Sequence, residues 1–287
     1  MSRRHYLDHA STSPLLPGVA EAMAPWLSAA DPGRVHTEGR MARAALEDAR
    51  ERIAAALGCR ASREVVLTGG ATEAVAMATW GAIRRVPGGA VVAAAIEHSS
   101  VREWATRAGG GVVEPPVDGT GRLCLGDLGL DGAALVNVQW GNHEVGTLQP
   151  VAEVVAAARR AGALVHVDAS QAAGRVPIDF TALDADLLSV SGHRLGGPRG
   201  TGALLVRRGL RLEPLLVGGA QERARRAGLE NVAGAVGFAV ALEHHDPAAE
   251  GARQHTLSER LLVGAAALAG VRRYTPEARL PHIACLG

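Results

Sequence analysis

Polar residues capable of chemistry recur in this sequence at the ends of predicted strands. In chain order they are Thr72, His98, His143, Asp168, Gln171, Ser191 and His193. Imidazole, carboxylate, amide and hydroxyl groups can move protons and bind the anionic groups of a small molecule. Each residue alone has an ordinary explanation, because an aspartate at a strand end often caps a helix. Their repeated placement indicates a binding site.

One candidate for phosphate binding is the segment Thr68-Gly-Gly-Ala-Thr-Glu73, which joins a strand directly to an apolar helix. Two glycines and a threonine at a helix start expose backbone N–H groups, as phosphate sites do. The same pattern is typical of an ordinary capped helix after a tight turn, which is the commoner case. The local pattern leaves both interpretations open.

The chain contains no lysine, since all 30 of its basic residues are arginine. No side-chain amine is therefore available to form an imine with a carbonyl compound. Arginine cannot take its place, because the guanidinium stays protonated at any working pH. One of these arginines, Arg194, lies in the glycine-rich loop Ser191-Gly-His-Arg-Leu-Gly-Gly-Pro.

Strands and helices that must position these residues alternate along the chain. Strands are predicted at 64–68, 90–96, 112–115, 134–140, 163–167, 186–190 and up to 206, and helices at 17–27, 37–57, 74–84, 150–162, 231–244 and 254–268. This alternation predicts an α/β fold, a mostly parallel sheet with flanking helices, which binds ligands beyond the carboxyl ends of its strands.

Two domains are expected. A large domain covers residues 1–245, and residues 246–287 form the start of an incomplete small α+β domain, with residues 1–30 as a segment able to pack against it. A linker is predicted at 244–251 because its residues are polar and include Pro247. The strand pattern that begins at Leu280 stops at Gly287, so we expect the natural chain to continue further.

Composition narrows the functional classes. The chain has 287 residues, of which 47% are hydrophobic and 21% charged, as in a globular protein. A net charge of +1 argues against binding nucleic acid through bulk electrostatics. No apolar run reaches the roughly 18 residues of a membrane span, and no apolar leader is present, which predicts a cytoplasmic protein. Cys59, Cys124 and Cys285 lack metal-site spacing, so no metal is expected.

Several motifs between residues 6 and 237 occur in the order found in one enzyme family. They are Tyr6-Leu-Asp-His-Ala-Ser-Thr, Thr68-Gly-Gly-Ala-Thr-Glu, Glu97-His-Ser, Gly141-Asn-His-Glu-Val-Gly-Thr-Leu-Gln-Pro, His166-Val-Asp-Ala-Ser-Gln, Ser191-Gly-His-Arg and Gly218-Gly-Ala-Gln-Glu. With them the chain resembles the cysteine desulfurases, which belong to the class V aminotransferase group of the pyridoxal phosphate (PLP) dependent fold type I. The family reaction converts L-cysteine to L-alanine and passes the sulfur on as a persulfide.

The resemblance implies PLP as the cofactor and assigns roles around its ring. Asp168 would pair with the pyridinium nitrogen, and His98 would stack on the ring and serve as a catalytic acid or base. Gln171 would bond the ring hydroxyl. His143 takes the position of a family asparagine beside the cofactor.

Further implied roles concern the anionic groups of cofactor and substrate. Ala71, Thr72, Ser191 and His193 would hold the phosphate through backbone N–H, hydroxyl and imidazole groups. Arg226 would correspond to the arginine that binds the substrate carboxylate, where a bidentate guanidinium is useful.

The chain departs from the family pattern at the positions that carry covalent chemistry. Arg194 stands at the family's Schiff-base lysine, a catalytic position, so no covalent link to PLP is expected. Leu229 replaces a threonine that reaches a phosphate across a dimer interface. The family's nucleophilic cysteine falls beyond Gly287, and none of the three cysteines here lies in its motif.

Two hypotheses from different functional classes follow. The first is a desulfurase-like pseudoenzyme that binds PLP non-covalently at most. The second is a non-catalytic scaffold, a dimer partner of an active desulfurase or of a sulfur-relay protein. In either case the predicted partners are a second copy or a homologue and a sulfur-acceptor protein, with no nucleic acid and no membrane. A fragment of a decaying gene is a third possibility.

Overall fold

A seven-stranded sheet forms the centre of the computed structural model, which describes residues 5–287. The strands are β1 (Val65–Thr68), β2 (Ala90–Val92), β3 (Val112–Val113), β4 (Ala133–Gln139), β5 (Leu164–Asp168), β6 (Leu187–Ser191) and β7 (Gly202–Val206). Their spatial order is β1-β7-β6-β5-β4-β2-β3. Strands β2 to β6 pair in parallel, whereas β7 runs antiparallel to both β1 and β6. The predicted mostly parallel sheet is confirmed.

Helices cover both faces of this sheet. They are α1 (Pro17–Met23), α2 (Thr37–Ala56), α3 (Ala71–Arg85), α4 (Ser99–Arg107), α5 (Val151–Ala161), α6 (Phe180–Leu183), α7 (Gln221–Ala224), α8 (Val232–His244) and α9 (Pro247–Ala266). On β4, Val136 and Val138 pack with α2, α5 and α8, while Leu135 packs with α3 on the other face. Successive side chains of a strand alternate between faces, so a strand that is buried along its whole length, as β4 is, contributes side chains to both core layers.

Helix α9 begins earlier than its sequence pattern predicts. Asp246 accepts hydrogen bonds from the backbone N–H groups of Ala248 and Ala249, and Pro247 follows it at the first helical position. An acidic N-cap and a proline at the first position both favour a helix start. The prediction of a linker over 244–251 is therefore wrong, because Pro247 starts a helix there instead of breaking one.

The segment after α9 packs against the loop that follows β4. Leu280 is fully buried and Ile283 nearly so, and both belong to the main core. The Leu280 N–H donates to the Gly146 carbonyl at 2.8 Å, and Arg279 forms a β-bridge with Thr147. The proposed division at residue 245 stays a prediction. Helix α1 packs on α8, and residues 1–4 of the predicted 1–30 segment lie outside the described residues.

Two negative findings apply to residues 5–287. Within that range no helix combines the length and the apolar character needed to cross a membrane. The same part of the chain holds no group of three or more His, Cys, Asp or Glu side chains placed to bind a metal ion.

Candidate functional site

A cavity of about 680 Å³ opens at the edge of the sheet where β4, β5 and β6 end. Nine residues assigned to the site from sequence line this cavity: Ala71, Thr72, His98, His143, Asp168, Gln171, Ser191, His193 and Arg194. Parallel strands place their carboxyl ends together, which is why residues up to 123 positions apart in sequence meet here.

The turn before α3 presents backbone N–H groups to the cavity. Gly70 has φ +146°, a conformation that L side chains rarely adopt, and its carbonyl accepts a bond from Thr68 Oγ1 at 3.0 Å. A Cβ on Gly202 of β7 would approach Gly70 Cα to 2.8 Å, so the turn lies directly on the neighbouring strand. The N–H groups of Ala71 and Thr72 have no acceptor among residues 5–287. They are free for an anion.

Two residues at the end of β6 complete this side of the cavity. The Ser191 hydroxyl is buried, and its Oγ has no hydrogen-bond partner in the described part of the chain. His193 Nδ1 lies 3.2 Å from Thr12 Oγ1, and burial lowers the pKa of His193, with a smaller contribution from Arg194. A buried hydroxyl without a protein partner is uncommon, and at the cavity wall this one can bond a ligand.

Asp168, the last residue of β5, uses one carboxylate oxygen for hydrogen bonds to neighbouring residues and leaves the other available to a ligand. Its Oδ1 accepts bonds from Ser170 N at 2.9 Å, Ser170 Oγ at 2.5 Å and Ser189 Oγ at 3.3 Å. Among residues 5–287 nothing bonds Oδ2. The three bonds to Oδ1 fix the plane of the carboxylate, so Oδ2 is oriented as an acceptor in the cavity wall.

Two histidine rings meet on another wall of the cavity. The rings of His98 and His143 contact edge to face, with centroids 5.3 Å apart and planes at 69°. His98 Nδ1 accepts from Ser100 N at 3.1 Å as the N-cap of α4 and lies 2.8 Å from Ser100 Oγ. Burial, and next the nearby His98, lower the pKa of His143, which favours a neutral ring.

Gln171 is held at both ends of its amide. Its Nε2 donates to the Ala10 carbonyl at 2.9 Å, and its Oε1 lies 3.1 Å from His282 Nε2. His282 was not predicted as a neighbour of the site, because it reaches Gln171 from a segment 111 residues later. Burial, followed by Arg175 and Arg194, lowers the pKa of His282 to about 2, so this ring is neutral.

Arg194 lies in the cavity wall with its guanidinium half-buried. Its Nη1 donates to the Ala10 carbonyl, while its own carbonyl accepts bonds from Ser13 Oγ at 3.0 Å and Arg175 Nη2 at 2.9 Å. Burial lowers the pKa of the Arg194 guanidinium, and Asp168 and Asp8 oppose this. An arginine starts from so high a pKa that Arg194 remains a cation.

Arg226 is the one site candidate that the fold does not bring to the cavity wall within the described residues. Its Nε and Nη2 donate to Glu73 Oε1 and Oε2 at 2.7 and 3.2 Å, and Glu73 does line the cavity. Arg226 and Leu229 line a separate, smaller cavity of about 120 Å³. Gly69 N also donates to Glu73 Oε2, at 2.7 Å. Arg226 thus contacts the phosphate-type turn through Glu73.

Several wall residues were missed from sequence, among them Trp104, Gln139 and Ser170. Behind the wall, Glu97 is buried, with Oε1 accepting from Gln139 N at 2.9 Å and Oε2 without a partner among residues 5–287. Burial raises the pKa of Glu97 to about 8. The Glu97-His98 pair was visible in the sequence, but only the fold shows that Glu97 points into the interior.

Comparison with known proteins agrees with this geometry. Residues 5–286 match the family described as Aminotransferase class-V. A cysteine desulfurase from Enterobacter agglomerans is 41% identical over 250 residues, which cover 84% of this chain and 62% of that protein. The chain therefore spans less than two thirds of that relative.

A longer alignment and a solved structure extend the match. A cysteine desulfurase from Gluconacetobacter diazotrophicus is 38% identical over 293 residues, covering 97% of this chain and 73% of that protein. A solved NifS-like protein superposes with a TM-score of 0.90 at 32% identity, covering 97% of this chain and 80% of the other. On this evidence, the chain belongs to the cysteine desulfurase family of class V aminotransferases.

Proposed function

We propose that this protein binds pyridoxal phosphate or a derivative of it without a covalent bond, and that it lacks ordinary cysteine desulfurase activity. One observation carries the proposal. The cavity gathers free N–H groups, a carboxylate and a histidine suited to that cofactor, yet Arg194 is the one arginine in its wall among residues 5–287, and the protein has no lysine.

The residues at the two ends of the cavity fit the cofactor. The N–H groups of Ala71 and Thr72 and the Ser191 hydroxyl, which has no partner among residues 5–287, supply donors for a phosphate. Asp168 Oδ2 is free to accept a bond from a protonated pyridine nitrogen. When bound, the cofactor supplies an electron-withdrawing ring that stabilises a substrate carbanion.

The chain's own residues would hold this ring in place. Asp168 is fixed by Ser170 and Ser189, so little reorientation is needed when it accepts the ring N–H. His98 is oriented by its cap bond, in which Nδ1 accepts from Ser100 N, so the neutral ring carries its proton on Nε2 and can donate it to a ligand. The amide nitrogen and the amide oxygen of Gln171 both already have hydrogen-bond partners, so a bond to a ring hydroxyl would require the contact with Ala10 or His282 to break.

Loss of activity follows from the chemistry of Arg194. A guanidinium keeps its proton and its charge, so it can neither attack an aldehyde carbon nor take up a substrate proton. Removing a covalent nucleophile removes the whole pathway that uses it, which costs many orders of magnitude in rate. Pairing with a second copy or an active homologue, transfer of sulfur to an acceptor, and a cytoplasmic location stay predictions from the sequence.

The test is to mix purified protein with PLP, record the absorbance spectrum, reduce with borohydride, and measure the mass of the denatured chain. We expect a shifted PLP spectrum, loss of PLP on dialysis, and no added mass after reduction. Failure to bind PLP would favour the scaffold hypothesis. Production of alanine and sulfide from cysteine by the pure chain would contradict the proposal.

A further inference from the structure

The charges around the cavity leave one cation without a counter-ion. Within residues 5–287 the cavity wall contains two carboxylates, Glu73 and Asp168, and a single arginine, Arg194. The Glu73 charge is balanced by its two bonds from Arg226. In this part of the chain no carboxylate oxygen lies within 4.0 Å of the Arg194 guanidinium. Arg194 therefore has no direct ion-pair partner among these residues, and Asp168 and Asp8 act on its charge only from a longer distance.

The surroundings of Arg194 leave most of its hydrogen-bonding capacity unused. A guanidinium has five N–H donors, and here Nη1 bonds one acceptor, the Ala10 carbonyl. That bond anchors the side chain against the loop near Ala10 and restricts its movement. Holding a partly buried cation without an anion is costly, so an anionic ligand group that reached the free N–H groups would be bound strongly.

The position of Arg194 determines which ligand group it meets. Arg194 lies in the same wall as Asp168, and Asp168 opposes the lowering of the Arg194 pKa by burial. Ala71, Thr72, Asp168 and Arg194 line one cavity, so a ligand bonded to Asp168 and to the Ala71 and Thr72 N–H groups would have its remaining substituents in the space that Arg194 also lines. A substituent carrying a carboxylate suits a guanidinium at that place.

We propose that the cavity selects the pyridoxyl derivative of an α-amino acid over free PLP, with Arg194 binding the α-carboxylate. This inference rests on the proposed function, because the ring and the phosphate must be bound first. PLP and an amino acid join in solution, where the amine adds to the aldehyde and water leaves, so the protein need supply no nucleophile. The carboxylate-binding role assigned to Arg226 from sequence then belongs to Arg194.

Binding of two stable, reduced probes tests this selectivity. Phosphopyridoxyl-L-alanine carries the carboxylate, and phosphopyridoxyl-ethylamine is the same molecule without it. We expect calorimetric titration to give about 10- to 100-fold tighter binding of the alanine derivative, as for other hydrogen bonds between charged groups. Equal affinities would overturn the inference and leave the proposed function intact. No binding of either probe or of PLP would overturn both.

Variants identify the responsible arginine. We expect Arg194→Gln to abolish the preference for the alanine derivative, so that its affinities for the two probes lie within about threefold of each other. Arg194→Lys keeps the charge and should retain a preference. Arg226→Gln should retain it as well, because Arg226 contacts Glu73. Loss of the preference in Arg226→Gln but not in Arg194→Gln would contradict the assignment. Thermal unfolding of each variant verifies that it is folded.

Discussion

Single residues set the chemistry of this site, and Arg194 is the decisive one. Ser13 and Arg175 donate hydrogen bonds to its backbone carbonyl, and its guanidinium donates to the Ala10 carbonyl. These bonds fix the position of the side chain. In the same wall, Asp168 has an acceptor oxygen and Ser191 a hydroxyl that have no hydrogen-bond partner among residues 5–287. The site retains binding groups while the position for covalent chemistry holds a permanent cation.

At this scale we predict that Arg194→Lys gains covalent attachment of PLP. Burial, which lowers the pKa of the Arg194 guanidinium, would also lower the pKa of a lysine ammonium there, so the mainly charged side chain would release its proton more readily and supply some neutral amine to attack the aldehyde. After incubation with PLP and borohydride reduction, mass spectrometry should find about one pyridoxyl group per chain in this variant. The wild type and Arg260→Lys, which places a lysine at an exposed position of α9, should show background labelling. Equal labelling of Arg260→Lys would refute the prediction.

A second prediction concerns Glu97 and the dependence of folding stability on pH. Burial raises its pKa from 4.5 to about 8, so between these values the unfolded chain has released a proton that the folded chain keeps. The stability of the wild type relative to Glu97→Gln should fall as pH rises through this window, by a few kcal/mol in all, and level off above it. Urea unfolding of both proteins at several pH values measures this difference. A difference that is constant with pH would show that Glu97 titrates normally.

At the scale of elements, turns between strands and helices carry the site. The motif Gly218-Gly-Ala-Gln-Glu leads into a tight turn, α7, with left-handed backbone at Glu222, Arg223 and Ala224. The buried Glu222 carboxylate bonds Arg50 at 2.5 and 2.7 Å and also accepts from Leu67 N at 3.0 Å. These bonds secure a backbone conformation that non-glycine residues adopt at a cost.

We therefore predict that Glu222→Gln destabilises the fold by about 3 kcal/mol, because it leaves the buried Arg50 cation with only the less buried Glu47 carboxylate, at 3.4 Å, as its acidic partner. Glu213→Gln is the matched control, since Glu213 pairs with Arg84 on the surface and its loss should cost about 1 kcal/mol or less. Chemical denaturation gives both values. Similar costs for the two variants would argue against a special role for the buried pair.

At the scale of the whole molecule, the segment after α9 joins the core that supports the cavity. A Cβ on Gly141, a wall residue, would come within 2.5 Å of Leu280, so the two segments fit closely. Ile283 packs over Gly146 in the same loop. Residues distant in sequence therefore stabilise one wall of the site.

Leu280→Ala should test this coupling. Truncating a fully buried leucine leaves a cavity and typically costs about 2–5 kcal/mol. Leu268→Ala removes the same atoms from a side chain that is 63% exposed and should change stability by about 0.5 kcal/mol or less. Urea unfolding followed by circular dichroism compares them. An unfolding step of Leu280→Ala confined to the C-terminal segment would support the predicted separate domain from residue 246.

The sequence by itself determined the layers of this protein and most of its site. Apolar strands alternating with amphipathic helices predicted the sheet, and polar residues after those strands predicted seven cavity residues, because parallel strands share one carboxyl edge. The family resemblance added Ala71 and Arg194. The lack of lysine was decisive without any coordinates, since a missing functional group is a property of composition.

Only the tertiary structure decided the contacts that link distant segments. It paired Arg226 with Glu73 instead of placing it in the wall, brought His282 to Gln171, and left Arg194 without a carboxylate partner in the described chain. Local sequence encodes the period of a strand and the cap of a helix. It does not encode which of 30 arginines meets which acid, because that choice depends on packing between residues far apart along the chain.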